Sequence, residues 1–343
     1  MFIGSPEDYR WSSLNREFRQ THASRSKEAF SVVELFHPAC PPGEKSGLSD
    51  DFSSVLQSGK PSMDNPAIST DSLTRRFGEL TAVQNVNLRV ASGQFFGFLG
   101  PNGAGKSTTI KMLTGLLAPT AGRVQILGLD LSRNAIEVKR HIGVVPEGMA
   151  LFGRLTGTEY LNFVARMYGL DRETASKRAA ELLEYMQLAD QPKTLVTDYS
   201  HGMQKKLALA AAVIHGPKVL FLDEPFEGVD AIASGTLKAM LQRMIARRVT
   251  IFLTSHVLEI VERLCSHVAI IHQGRLVAQG SLEELRAGVE AKANAAQLSR
   301  ATLPGTTLDS PQLALGEKPT LEQIFLRIVG GARPADQELS WLE

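Results

Sequence analysis

Gly100-Pro101-Asn102-Gly103-Ala104-Gly105-Lys106-Ser107-Thr108 is the stretch whose reading decides the fold. It fits G-x-x-x-x-G-K-[ST], the phosphate-binding loop. The run before it, Gln94 to Leu99, is apolar and short, as a buried strand is. The run after it, Thr109 to Leu117, has apolar residues at helical spacing. Glycines let backbone N–H groups curl around phosphate oxygens without a Cβ clash. The helix start adds free donors and partial positive charge. In such a loop Lys106 reaches the β- and γ-phosphates, and the Ser107 hydroxyl ligates Mg²⁺. A chance glycine-rich turn would lack the strand and helix on either side.

The chain has 343 residues, 43% hydrophobic and 21% charged, which is ordinary globular composition with room for more than one domain. A net charge of +1 gives no bulk field for nucleic acid or an acidic lipid surface. Its 2 cysteines, Cys40 and Cys265, are far apart and lack metal-ligand spacing, so a disulfide framework is not expected. No run reaches the roughly 18 apolar residues of a membrane-spanning helix. The N-terminus lacks the basic-then-apolar pattern of a signal peptide.

Twelve of the first 62 residues are serine, and Pro38, Pro41, Pro42 and Pro61 interrupt them. Residues 1–65 therefore read as a disordered extension. Met63, just before the first strand, reads as an alternative start, with 1–62 dispensable. From Ile68 the pattern changes. Ile68–Thr74 and Asn85–Val90 read as strands around a turn at Gly78–Leu80, and Arg123–Leu127 and Ile142–Val145 as further strands. Residues 157–188 read as helices, and Met203–Ile214 as another. Val219–Leu222 is a continuous apolar run, as in a central parallel strand. Ala231–Arg247 and Val257–Leu264 read as helices flanking a strand at Thr250–Leu253, and Val268–Ile271 with Arg275–Gln279 as a hairpin. Strands alternating with helices around one helical insert make the fold class α/β. After Glu290 the chain turns Ala/Thr/Ser/Pro-rich, with one amphipathic segment at Leu321–Val329.

Val219–Leu222 ends in Asp223-Glu224-Pro225. A strand-end aspartate of this kind holds Mg²⁺, and Glu224 beside it is placed to polarise an attacking water. Between loop and strand lies Tyr199-Ser200-His201-Gly202-Met203, opening a helix. Together these pieces, from about Ser69 to Ser281, resemble the nucleotide-binding subunits of ABC transporters. Phe77 falls where that family stacks an aromatic ring on adenine. Gly100–Thr108 matches Walker A, Val144–Glu147 the Q-loop, and Tyr199–Met203 the signature. Phe221–Pro225 matches Walker B, Glu227–Asp230 the D-loop, and His256 the switch histidine. The Pro146-Glu147-Gly148 stretch and Leu321-Glu322-x-x-Phe325 resemble the single-domain subunits of ABC-2-type exporters.

The resemblance implies a P-loop NTPase core, mostly a parallel sheet with an antiparallel β subdomain, over residues 66–288. A helical subdomain is inserted at about 147–215, and 289–343 form a tail. It implies ATP and Mg²⁺ as cofactors, with Ser107, Asp223 and Glu147 toward the metal. Glu224, His256 and Glu147 act in hydrolysis, and Ser200 and Gly202 contact the γ-phosphate held by a second subunit's Walker A. The implied partners are that second ATP-binding subunit, identical or related, and a separate transmembrane permease that holds this chain, itself cytoplasmic, on the inner face of the cell membrane; no direct nucleic-acid partner is expected. A soluble ABC ATPase acting on ribosomes or DNA is the alternative, but those types carry two cassettes or a long coiled coil, absent here. The departures are Tyr199 for Leu, His201 for Gly, Met203 for Gln in the signature, Glu147 for Gln, and Phe226-Glu227 at the D-loop.

Overall fold

The computed structural model describes residues 66–288 and 319–330. The segment 1–65, expected from composition to lack a fold, lies outside them, as do 289–318 and 331–343. β1 (Ile68–Phe77) and β2 (Leu80–Val86) pair across Gly78-Glu79, and β3 (Arg89–Val90) returns to β1. β4 (Phe95–Leu99) leads through the phosphate loop into α1 (Lys106–Leu113). β5 (Ala121–Ile126) and β6 (Leu129–Asp130) complete an antiparallel sheet of order β2-β1-β5-β6. Next come α2 (Ala135–His141), β7 (Ile142–Val145), and then α3 (Gly157–Met167), α4 (Arg172–Tyr185) and α5 (His201–Val213). β8 (Val219–Asp223), α6 (Ala231–Ala246), β9 (Thr250–Ser255), α7 (Leu258–Leu264), β10 (His267–His272) and β11 (Arg275–Ser281) follow. α8 (Leu321–Val329) packs against α7 and β11.

The second sheet has the order β11-β10-β4-β9-β8-β7, parallel except for β11. β4, β8 and β9 are buried at every position, which is why their centres, Phe95–Leu99, Val219–Leu222 and Ile251–Leu253, are apolar runs rather than alternating ones. The Phe252 ring stacks on Phe96 at 5.6 Å between centroids and touches Phe98 and Phe221 at 5.4 and 5.7 Å. These rings lock the three central strands together below the phosphate loop. The helix starts carry the caps the sequence offers: Thr156 with Glu159 at α3, Asp171 at α4, Ser200 at α5 and Asp230 at α6. α5 rests on β7 with no spare room, since a Cβ on Gly143 would lie 2.1 Å from the Ala212 carbonyl oxygen.

Two local expectations change. The strand expected at Asn85–Val90 is two pieces, β2 ending at Val86 and β3 holding only Arg89-Val90. Asn85 has φ +50°, and its side chain bonds the Thr74 hydroxyl, so the ladder bulges there. Asparagine tolerates this left-handed backbone better than other residues. Residues 80–84, placed in or after a turn by the sequence, pair with β1 instead. α2 had no counterpart in the sequence reading. It buries Val138 alone, too little to give a helical apolar pattern.

Candidate active site

Sheet register builds the site. Leu99 pairs with Ser255, and Asp223 pairs with Thr254. The residues that follow these strand ends are therefore neighbours: Gly100 after β4, Glu224 after β8, His256 after β9. This is the carboxyl end of a parallel sheet, where α/β folds bind ligands.

Gly105 caps α1 with φ +106°, and a Cβ there would lie 2.7 Å from the Ala82 carbonyl oxygen. Conformation and space both demand glycine. The first-turn N–H groups of α1 have no helical acceptors and point into the loop. Lys106 opens the helix, is buried, and curls back so that Nζ donates to the carbonyl oxygens of Gly100 at 2.8 Å and Pro101 at 3.4 Å. The same Nζ lies 3.6 Å from Glu224 Oε1.

Glu224 is buried, with φ +48°. Its N–H donates to Thr254 Oγ1 at 3.1 Å and to the Thr254 carbonyl at 3.3 Å. Its Oε2 lies 3.0 Å from His256 Nδ1 and accepts the His256 N–H at 3.2 Å. The His256 side chain stays half-exposed. Ser107 Oγ lies 3.2 Å from Glu147 Oε2 and 3.4 Å from Asp223 Oδ1. Thr254 Oγ1 donates to that same Oδ1 at 2.6 Å. Burial lifts the Asp223 carboxyl above its ordinary range; the Thr254 and Ser107 hydroxyls pull it down, and the Glu147 and Glu224 charges push it up. One hydroxyl and two carboxylates thus converge as hard oxygen donors, the ligand type magnesium takes.

Lys106, Ser107, Glu147, Asp223, Glu224 and His256 are brought together. The other sequence-derived residues stand on other elements. Phe77 is 46% exposed at the end of β1, with the Arg75 guanidinium 4.5 Å from its ring centroid. Ser200 caps α5, accepting the Met203 N–H at 3.3 Å. Gly202 faces Asp230, whose Oδ2 would be 3.1 Å from a Cβ placed there. Asn102, Gly103 and Ala104 form the loop turn, where the Ala104 N–H donates to the Pro101 carbonyl. Thr108 follows Ser107 in the first turn of α1.

Each departure from the family pattern has a place. The Tyr199 ring is buried with its hydroxyl against Gly157, where a Cβ would be 2.6 Å away. His201 Nε2 lies 3.3 Å from the Glu227 carbonyl, and its ring covers Gly228 of the same subunit. Glu147 points its carboxylate at Ser107, as above. Two residues of the site escaped the sequence reading. Thr254 touches both Walker B acids, and Lys205 on α5 donates from Nζ to the Glu224 carbonyl at 3.0 Å. Burial pulls the Lys205 ammonium below its ordinary range, against the pull of four nearby carboxylates. A buried hydroxyl such as that of Thr254 needs a polar partner, but the sequence does not say which one.

A family model described as ABC transporter matches residues 83–227. The daunorubicin resistance ATP-binding protein of Streptomyces coeruleorubidus is 33% identical over 310 residues, covering 79% of this chain and 98% of that protein. The Nod factor export ATP-binding protein I of Ralstonia nicotianae is 39% identical over 220 residues, covering 64% of this chain and 68% of its own. A solved structure of the ATP binding subunit of an ABC transporter superposes with a TM-score of 0.62 at 29% identity, covering 68% of this chain and 100% of that one. The chain therefore belongs to the ATP-binding subunits of ABC transporters and is an ATPase of that family.

Proposed function

We propose that this chain is the ATP-hydrolysing subunit of an exporter, that it works as a dimer, and that a separate permease carries the cargo. The observation that carries the proposal is the meeting of Lys106, His256 and Ser107 around Glu224 and Asp223 at one sheet end. Relatives named for drug resistance and for export favour an exporter over a ribosome- or DNA-acting ATPase. Among the described residues no helix is long and apolar enough to cross a membrane. A permease supplied by another chain, with this one docked on its inner face, fits that finding.

The phosphates of ATP lie on the loop N–H groups and Lys106, and the adenine stacks on the exposed face of Phe77. Ser107 and Asp223, with Glu147 beside them, would hold Mg²⁺, which would offset charge on the phosphate oxygens. Among the described residues no three His, Cys, Asp or Glu side chains gather into a metal cage. Magnesium needs none, because it takes one or two carboxylates together with substrate phosphates. Glu224 accepts a proton from water as its oxygen bonds to the γ-phosphorus and the bond to the β-phosphate oxygen breaks. His256 donates to the γ-phosphate, and Ser200 with Gly202 meets the γ-phosphate of the second subunit. Glu147, at the join of core and helical block, passes the nucleotide state to the permease.

The test is co-expression with each candidate permease, starting with any membrane protein found in a neighbouring reading frame. The expected result is one detergent-stable complex whose ATPase rate exceeds that of the isolated chain. Failure to associate, together with ATP-dependent pelleting on ribosomes or DNA, would replace the exporter reading.

A further inference from the structure

Lys205 is 2% exposed in the middle of α5. An ammonium this deep gives up its water shell, and such burial persists only where the charge meets well-placed partners. The hydrogen-bond partner here is a backbone oxygen, the Glu224 carbonyl at 3.0 Å, and Lys205 lines a small apolar cavity together with Val145, Leu209, Leu222 and Leu237. The carboxylates of Glu227, Asp223, Glu147 and Glu224 lie close enough to act on its charge.

The residue it grips is strained. Glu224 is not glycine, yet its φ is +48°, a left-handed backbone that must be held from outside. Thr254 of β9 holds the N–H side of the residue, and Lys205 of α5 holds the carbonyl side. If that carbonyl turns, the Cα–Cβ direction and the carboxylate turn with it. α5 begins at the Ser200 cap, roughly 7 Å along the helix axis from Lys205. Ser200 and Lys205 stand on the same helix, so a displacement of α5 would carry both.

We propose that Lys205 is a positioning residue for hydrolysis: from the helix that starts at Ser200 it grips the Glu224 carbonyl and keeps the Glu224 carboxylate facing the attacking water. The proposal rests on the reading of Glu224 as the base. It gives the signature helix a direct mechanical link to the base of its own subunit.

The experiment uses the full chain with Lys205→Met, which keeps length and loses the donor, and Lys205→Arg, which restores a cation. Steady-state hydrolysis gives kcat and KM, and equilibrium dialysis gives the Kd for ATP. Lys205→Met is expected to lower kcat about 10- to 50-fold while KM and Kd stay within twofold, consistent with the share positioned acid–base help supplies. Lys205→Arg is expected to recover most of kcat. Placed on Glu224→Gln, Lys205→Met is expected to cost less than threefold more, because the group it positions is gone. A kcat within twofold of wild type in Lys205→Met overturns the proposal. So does a joint loss of kcat and Kd that Lys205→Arg fails to rescue, or the full loss repeated on Glu224→Gln. If Lys205→Met does not fold, Lys205→Gln is judged by the same criteria. Full hydrolysis by Glu224→Gln alone overturns the base reading first and this one with it. Normal loss in Glu224→Gln with an unaffected Lys205→Met overturns this one only.

Discussion

Thr254→Val removes one hydroxyl at nearly constant volume, and the structure gives the size of the effect. The lost hydroxyl donates to Asp223 Oδ1 at 2.6 Å, a buried bond to a carboxylate worth about 1.5–3 kcal/mol. It also accepts the Glu224 N–H at 3.1 Å, worth about 0.5–1.5 kcal/mol, although that N–H keeps the Thr254 carbonyl at 3.3 Å. Together the loss is about 2–4 kcal/mol. At about 2–4 °C per kcal/mol for a domain of this size, Tm falls by about 4–16 °C. The Asp223 carboxyl, lifted by burial, also loses the donor that most favours its ionised form. With that donor gone, half-maximal activity should need more Mg²⁺. Calorimetry and ATPase rates against Mg²⁺ concentration measure both effects, with Thr254→Ser as the variant that keeps the hydroxyl. A Thr254→Val protein as stable as wild type, with unchanged Mg²⁺ dependence, would refute this account of the strand-end pair.

Glu147→Gln keeps an oxygen that accepts from Ser107, so ATPase activity should stay near wild type, whereas Glu147→Ala should slow turnover; equal severe losses in both would show that the negative charge itself is required. His215 is partly buried, its ring stacked 3.6 Å from Tyr168 and its Nε2 at 3.0 Å from the Ile142 carbonyl, and desolvation holds it at about pKa 4, with His141 and Arg178 adding to the depression. Below pH 6.5 the unfolded chain binds a proton that the folded chain refuses until about pH 4, so stability is level above 6.5 and falls as pH drops through that window. Urea unfolding at pH 7 and pH 5 should show wild type losing about 2 kcal/mol more than His215→Gln, and equal losses would contradict it.

What the sequence disclosed and what it hid divides along physical lines. The loop at Gly100–Thr108 and the pair Asp223-Glu224 are contiguous because one turn or one strand end must present them together, so their chemistry shows in the string. The central strands were legible because burial on both faces favours unbroken apolar runs such as Phe95–Leu99 and Val219–Leu222. Thr254 and Lys205 were not legible as site residues. Their partners are 31 and 19 residues away, and only sheet register and the docking of α5 bring them together. The break between β2 and β3 was hidden because Asn85 reads as a strand residue until its left-handed backbone and its bond to Thr74 are seen. The ring of His201, one of the departures from the family pattern, lies along its own subunit's Glu227-Gly228.

The central claim is that two copies close on ATP and that Glu224 drives its hydrolysis. Glu224→Gln keeps size and hydrogen bonding but removes the base and one negative charge, so the uncleaved nucleotide should hold two subunits together through Ser200 and Gly202. Lys106→Ala removes the cation that meets the phosphates and should abolish binding and pairing together. Size-exclusion chromatography with light scattering at saturating ATP and Mg²⁺ decides it. The account predicts a dimer for Glu224→Gln, a monomer for Lys106→Ala, and a monomer again when Ser200→Arg is added to Glu224→Gln. A Glu224→Gln protein that stays monomeric, or one that still hydrolyses ATP at the wild-type rate, would contradict it.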